Sequence, residues 1–295
     1  MSKSALFHAL SRLFPEGALK GRLRLWFYVL TGKINRHQVT RERLPFTIRY
    51  QLFQNRFRLC FDRGRFAGRE LVLPAYYDAT LHPDQITSPW AFVWYVGLEV
   101  ESYFCGPELC EGDLVVDAGA CPGDYSLLAG EAVGTQGRVI ALEADPYSAR
   151  YLQGVVELNQ GTNCDVRHMA LACKGGEVSL LMDEHGTQLS DAAAAADADT
   201  IPAISYDELI EDSDPAGQRR HVLKMDIEGA EADLVPAILS GVHTPDLWII
   251  AAYHPDRETG EPTHVRLQPM LEAAGYQCMI GEHDHTVLFA WHPDK

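Results

Sequence analysis

The sequence predicts an α/β domain whose sheet is parallel except for one antiparallel strand at its C-terminal end. Three observations carry this. From Gly112 onward, short apolar runs alternate with helix-like stretches, the pattern of a parallel sheet with crossover helices. A glycine-bracketed loop, Gly119-Ala-Cys-Pro-Gly123, joins the first of these runs to the first helix. The last two runs, 277–281 and 286–291, lie too close for a helical crossover and permit only a hairpin.

Taken in order, residues 1–44 read as a basic helical N-terminal extension. Leu6, Phe7, Leu10, Leu13 and Phe14 recur at helical spacing, with Lys3, His8 and Arg12 between them. Pro15 and Gly17 break the segment, and a second apolar run, Leu25 to Leu30, follows among further arginines and lysines. Two readings stand: a cap packed on the domain, and a peripheral contact with anionic lipid through residues 1–35. Residues 45–110 read as a small strand and helix region packed on the core. Phe46 to Phe53 and Arg56 to Phe61 resemble an antiparallel pair with Asn55 near the turn, and residues 88–110 read as helix.

Residues 111–295 carry the main domain. Its expected strands are 114–117, 138–143, 164–168, 177–182, 221–226, 247–252, 277–281 and 286–291. Its expected helices are 124–133, 146–159, 205–211, 229–239 and 263–274. Residues 182–200, with five consecutive alanines among aspartates, read as a surface loop, a lid or a short helix.

Composition narrows the function classes. Residues 1–70 hold 15 of the 25 Lys/Arg but 4 of the 41 Asp/Glu, so a net of +11 there faces −27 over the remainder. An acidic body argues against general nucleic-acid binding, which rests on neutralised phosphates. The seven cysteines show no C-x-x-C spacing, so reduced thiols in a cytoplasmic protein are the default. No stretch approaches 18 apolar residues and no signal peptide fits. The expected location is cytoplasmic, with any membrane contact peripheral and at the inner face. Oligomeric state is not legible.

The loop at 117–126 is the most informative segment. Asp117 ends a buried strand, and Gly119 and Gly123 let backbone approach a ligand closely. An acidic side chain at the turn suits a ligand with hydroxyls and positive charge better than one with phosphates; S-adenosylmethionine is such a ligand. A dinucleotide site would show G-x-G-x-x-G, whereas here Cys121 holds the middle position. Glu143 ends the second strand, where a carboxylate can accept two hydrogen bonds from a ribose diol. Asp226 ends the strand 221–226 on the same edge, followed by Ile227-Glu228-Gly229-Ala230-Glu231. Glu231 reads as an acid placed at a helix N-terminus. Lys224 lies within its strand, where structural pairing and catalysis are both open. His254 follows the next strand.

Together, VVDAGACPGDYSLL, ALEADP, HMALACKGGEVSL and LKMDIEGAEADLV resemble the FkbM family of methyltransferases, from about Gly112 to Leu239 and more weakly to Trp291. The resemblance implies a class I methyltransferase fold, Rossmann-like, with S-adenosylmethionine as donor. It implies methylation of oxygen, often on sugars or other natural-product hydroxyls, and so a small-molecule or glycan acceptor. It places Asp117, Gly119, Gly123 and Ser126 around the donor's methionine end. Glu143 falls on the ribose and His168, Met169 and Ala170 near the adenine, with Cys121 and Ala144 completing the donor-binding set. Family members usually carry Asn-Ile where this chain has Cys121-Pro122, and often an aromatic in place of Asp124.

The reaction is an in-line displacement at a sulfonium, so alignment of oxygen, methyl and sulfur is the main task. A sugar hydroxyl also needs a base within reach. Asp226 is the first candidate, His254 the second, and Glu228 stands beside them. Asp226 and Glu228 could instead share a divalent cation, but two carboxylates are a sparse ligand set and no metal site is assigned. A uronic-acid acceptor would need no base. Two other readings remain: a dinucleotide-dependent oxidoreductase, and a non-catalytic binding module on the same fold.

Overall fold

The computed structural model describes residues 46–51, 53–74, 100–161, 163–183, 186–191, 200–256, 259–282 and 286–293. The chain divides into two units, residues 1–98 and 99–295. The basic extension 1–44 lies outside the described residues, as does most of the helix expected over 88–110. Of that stretch, residues 100–102 are helical and the chain turns directly after them.

In the first unit, β1 (Phe46–Gln51), β2 (Arg56–Phe61) and β3 (Glu70–Pro74) form an antiparallel sheet in that order. The expected pair is present, with Asn55 in the left-handed region at the turn. The third strand, ELVLP, was not foreseen. Its buried residues alternate with exposed or half-buried ones, and Phe57, Leu59, Leu71 and Leu73 are all buried.

The second unit is built on a seven-stranded sheet. Its strands are β4 (Leu114–Ala118), β5 (Arg138–Glu143), β6 (Cys164–His168), β11 (His221–Met225), β12 (Leu247–Ala251), β13 (Gln277–Glu282) and β14 (Thr286–Trp291). The order is β13-β14-β12-β11-β4-β5-β6. Only β14 runs against the rest, pairing antiparallel with both β12 and β13. This is the Rossmann-like class I arrangement that the terminal hairpin predicted. β4, β11 and β12 are buried along their whole length, as strands covered on both faces must be.

Five helices follow the expected spans: α1 (Asp124–Val133), α2 (Pro146–Leu158), α3 (Tyr206–Ser213), α4 (Glu231–Leu239) and α5 (His264–Ala273). Local chemistry sets their starts. Asp145 caps α2 by accepting the N–H groups of Tyr147 and Ser148, with Pro146 in the first turn. Ser205 and Glu208 form a reciprocal capping box on α3.

One expected strand belongs elsewhere. Residues 177–182 fall within β8 (Gly176–Asp183), which joins β7 (Ala170–Leu171), β9 (Gly186–Asp191) and β10 (Thr200–Ile204) in a separate sheet ordered β7-β10-β8-β9. The segment between β6 and β8 holds no crossover helix, so β8 cannot return parallel to the main sheet. It pairs antiparallel with β9 and β10 instead. The tract read as loop, lid or helix therefore contributes a strand over 186–191, while its alanines lie outside the described residues.

Among the described residues no helix is long and apolar enough to cross a membrane.

Candidate active site

The site lies where β4, β5, β11 and β12 end. β4 and β11 are paired so that Asp117 stands beside Lys224. Registered partners in parallel strands point to the same face, which puts a cation against the acid near the end of β4. The Lys224 Nζ is 3.0 Å from Asp117 Oδ1 and donates to the Gly119 carbonyl at 3.0 Å. Ser126, on α1, donates its hydroxyl to the other Asp117 oxygen. Asp117 and Ser126 are 0% exposed and Lys224 only 3%. Burial would lower the Lys224 pKa, but Asp117 and Asp226 outweigh it and hold the lysine above its ordinary value. Its ammonium also lies 4.9 Å from the Tyr103 ring centroid and 5.7 Å from that of Tyr125.

Gly119 is required where it stands. Its φ is +72°, and a Cβ built there would lie 1.8 Å from the Asp226 carbonyl oxygen. The loop after β4 and the turn after β11 thus touch backbone to backbone. Gly119→Ala should destabilise the domain by at least about 2–3 kcal/mol. Chemical denaturation checks this, and an unchanged midpoint would refute the close approach. Gly123 holds φ +100° at the start of α1, with Leu152 and Val155 packed against its α-carbon. The Cys121–Pro122 peptide between these glycines is cis.

Glu143 closes the β5 side of the site. It accepts the Cys121 N–H at 3.2 Å on one oxygen and the Asp145 N–H at 3.0 Å on the other. Burial pushes its pKa up to about 7, against the lowering effect of those two N–H groups. Asp124, at the start of α1, is likewise pushed up to about 7 by burial, opposed by the Tyr125 N–H. β6 pairs with β5 so that His168 lies opposite Glu143. The His168 ring contacts the Ala144 carbonyl at 3.1 Å, and Met169 donates its N–H to the Glu143 carbonyl. These contacts tie Cys121 and Met169 to Glu143, and His168 to Ala144.

The other end gathers around Asp226. Its Oδ2 accepts the Tyr103 hydroxyl at 2.7 Å, and Tyr253 lies 3.5 Å from Oδ1. His254 Nε2 is 3.6 Å from both Asp226 Oδ1 and Glu228 Oε2, and its Nδ1 is 3.4 Å from Glu231 Oε1. Burial alone would lower the His254 pKa; Glu231, Asp226 and Glu228 outweigh it and raise it to about 8. Glu228 sits at φ +57° and leads into Gly229 at φ +93°, a left-handed pair that turns the chain into α4. Its side chain is half exposed.

Asp226, His254 and Glu228 thus come together as the sequence placed them. Glu231, read as a helix-terminal acid, instead faces His254 from full burial. It also accepts the Ile227 N–H at 2.8 Å. Of the two readings of Lys224, the structure carries the pairing one. Tyr103 and Tyr253 carried no sequence signal, since an aromatic in a helix-like or strand-end run reads as core. Asp226 and Glu228 do not form a ligand group by themselves: among the described residues, the grouping able to hold a metal ion is Asp226, Glu231 and His254.

Residues 117–278 match the family model described as the methyltransferase FkbM domain. No curated protein matches the chain. Among solved structures it is similar to a methyltransferase FkbM from Methylobacillus flagellatus KT, at 22% identity and TM-score 0.43, over 63% of this chain and 45% of that one. The chain thus spans less than half of that relative's length. A SAM-dependent methyltransferase from Aquifex aeolicus aligns at 16% identity and TM-score 0.39, over 66% of this chain and 89% of that one. Aeropyrum pernix fibrillarin, solved with natively bound S-adenosyl-L-methionine, aligns at 11% identity and TM-score 0.40, over 83% and 97%.

Proposed function

This chain belongs to the FkbM family of methyltransferases, and from that premise we propose that it transfers the methyl group of S-adenosylmethionine to an oxygen of a glycan or glycolipid precursor. The acceptor group is a sugar hydroxyl or a uronic acid. One observation supports the reading above the others: the Asp117–Lys224 network and the Asp226–His254 group share a sheet edge, joined by the Gly119–Asp226 backbone contact. Donor and acceptor groups are thereby fixed a short distance apart, which is what alignment of oxygen, methyl and sulfur requires.

Asp226, oriented by Tyr103, receives the hydroxyl proton, and His254 stands beside it to share the charge. The Asp117–Ser126–Lys224 group holds the methionine end of the donor, and Glu143 its ribose. Incubating the protein with labelled S-adenosylmethionine and fractionated host glycans and lipids, followed by mass analysis, tests the reading. A methyl appearing on a nitrogen or carbon, or tight binding of NAD in place of the donor, would sink it. Donor binding with no methylated product in any fraction would favour a non-catalytic module.

Donor affinity should depend on pH through Glu143. With its pKa at about 7, the carboxylate is mostly protonated at pH 6 and mostly ionised at pH 8. An ionised acceptor binds a diol more strongly, so affinity rises with pH. Calorimetry with S-adenosylhomocysteine should give roughly tenfold tighter binding at pH 8 than at pH 6. Glu143→Gln should flatten the profile, and Glu143→Ala should weaken binding by roughly 1.5–3 kcal/mol. A flat wild-type profile would remove the ribose assignment.

Residues 1–35 are proposed to bring the protein to anionic lipid at the cytoplasmic face. Removing them should lower co-sedimentation with anionic vesicles and leave donor affinity unchanged. Loss of donor affinity on truncation would mark the segment as a cap on the domain.

A further inference from the structure

We propose that Asp226, Glu231 and His254 bind one divalent metal ion, and that this ion takes the acceptor oxygen as a further ligand. The binding claim stands on geometry alone; the role given to the ion rests on the methyl-transfer reading above.

The three residues follow two neighbouring parallel strands: Asp226 directly succeeds β11, Glu231 opens α4, and His254 lies just beyond β12. One ligand atom from each lies within 4.8 Å of the other two. Ligands held about 2.0–2.3 Å from an ion stand roughly 3–4.6 Å from one another. The group therefore needs little contraction to close on a cation.

Glu231 supplies the independent sign. It is 0% exposed, and its Oε1 accepts the Ile227 N–H. Its Oε2 is buried and has no hydrogen-bond partner among the described residues. A buried carboxylate oxygen without a donor is costly, and an ion at this point would satisfy it. Direct hydrogen bonding within the cluster is limited to one long contact, between His254 Nδ1 and Glu231 Oε1. His254 stands 3.4 Å from Glu231 and 3.6 Å from Asp226, longer than an ordinary N–H···O bond of about 2.7–3.2 Å. The supporting contacts fit the same picture. Tyr103 fixes Asp226 Oδ2, Oδ1 faces His254 with a long contact from the Tyr253 hydroxyl, and Ile227 fixes Glu231, as outer groups orient metal ligands.

Two carboxylates and one imidazole suit manganese, iron(II) or zinc better than calcium. Three protein ligands leave positions open for an oxygen of the acceptor. A hydroxyl bound there is acidified and gives its proton to Glu228, half exposed and 3.6 Å from His254 Nε2, and thence to solvent. The metal-held alkoxide forms the new O–CH3 bond as the C–S bond breaks with its electron pair going to sulfur. The products are a methyl ether, a neutral thioether and one released proton. With the ion bound, Asp226 becomes a ligand and Glu228 takes over the role of base that the reading above gives to Asp226.

The test is a titration of Mn2+ and Zn2+ into the full chain after chelator treatment, followed by calorimetry and, for Mn2+, by electron paramagnetic resonance. One ion per chain with micromolar affinity is expected, weakened at least tenfold in Glu231→Gln and in His254→Gln. Binding of S-adenosylhomocysteine reports whether each variant is folded. Absence of stoichiometric binding by the wild type, or binding that neither variant weakens, would overturn the proposal. Methyl transfer that survives in chelator-treated protein would also overturn it while leaving the methyltransferase reading intact.

Discussion

Lys224→Met should destabilise the methyltransferase domain by about 3–5 kcal/mol, the usual consequence of leaving one member of a buried ion pair behind. Asp117 is fully enclosed, and among the described residues the cation paired with it is the Lys224 ammonium at 3.0 Å. Methionine fills the space without the charge. The Ser126 hydroxyl alone cannot offset a carboxylate removed from water. The variant should also lose the hydrogen bond that holds the Gly119 carbonyl, so donor affinity falls along with the unfolding midpoint. Adding Asp117→Asn to Lys224→Met should recover most of the stability and none of the donor binding, because it removes the orphaned charge without rebuilding the site. Denaturant titrations of the two variants and the wild type decide this. A single variant as stable as wild type would mean that the pair is not ionised in the folded protein.

Asp226→Asn should slow methyl transfer by roughly 10²- to 10⁴-fold while S-adenosylhomocysteine binds as tightly as before. Asparagine keeps an oxygen to accept the Tyr103 hydroxyl, so the side chain stays in place, but it neither takes a proton nor carries charge. The contact between this turn and the donor loop runs through the Asp226 backbone carbonyl, which the substitution leaves alone. Turnover at saturating donor, together with the calorimetric affinity, separates the two effects. Full activity would remove Asp226 from the chemistry. An equal loss of donor affinity would recast it as part of the donor site.

The parts of this molecule that follow local rules were legible in its sequence. Apolar runs as uniform as Leu114–Val116 and Trp248–Ile250 read as buried strands, and Asp145-Pro146 announces a helix start through short-range hydrogen bonds. Carboxylates ending strands could be put on one edge because parallel strands share a direction. What was illegible depends on register and on long-range pairing. That Lys224 meets Asp117 is fixed by the alignment of β11 on β4, which periodicity does not reveal. Tyr103 reaches Asp226 across more than a hundred residues of chain. Glu231 obeys the rule for an acid at a helix start so well that its second contact, with His254, left no trace. β8 has the composition of a main-sheet strand, and only the missing crossover helix sends it elsewhere.

The position of β14 between β12 and β13 bears on how the chain is made. During synthesis β12 is complete well before Thr286–Trp291 leave the ribosome, and until then one side of the hydrophobic strand Leu247–Ala251 has no partner. At about 5–20 residues per second this interval lasts on the order of seconds. Over that time the nascent chain offers an unprotected sheet edge to its neighbours on the same message. Chaperone dependence and inclusion-body formation in this protein should therefore respond to translation speed across residues 252–291, and slowing that stretch should lower the soluble yield.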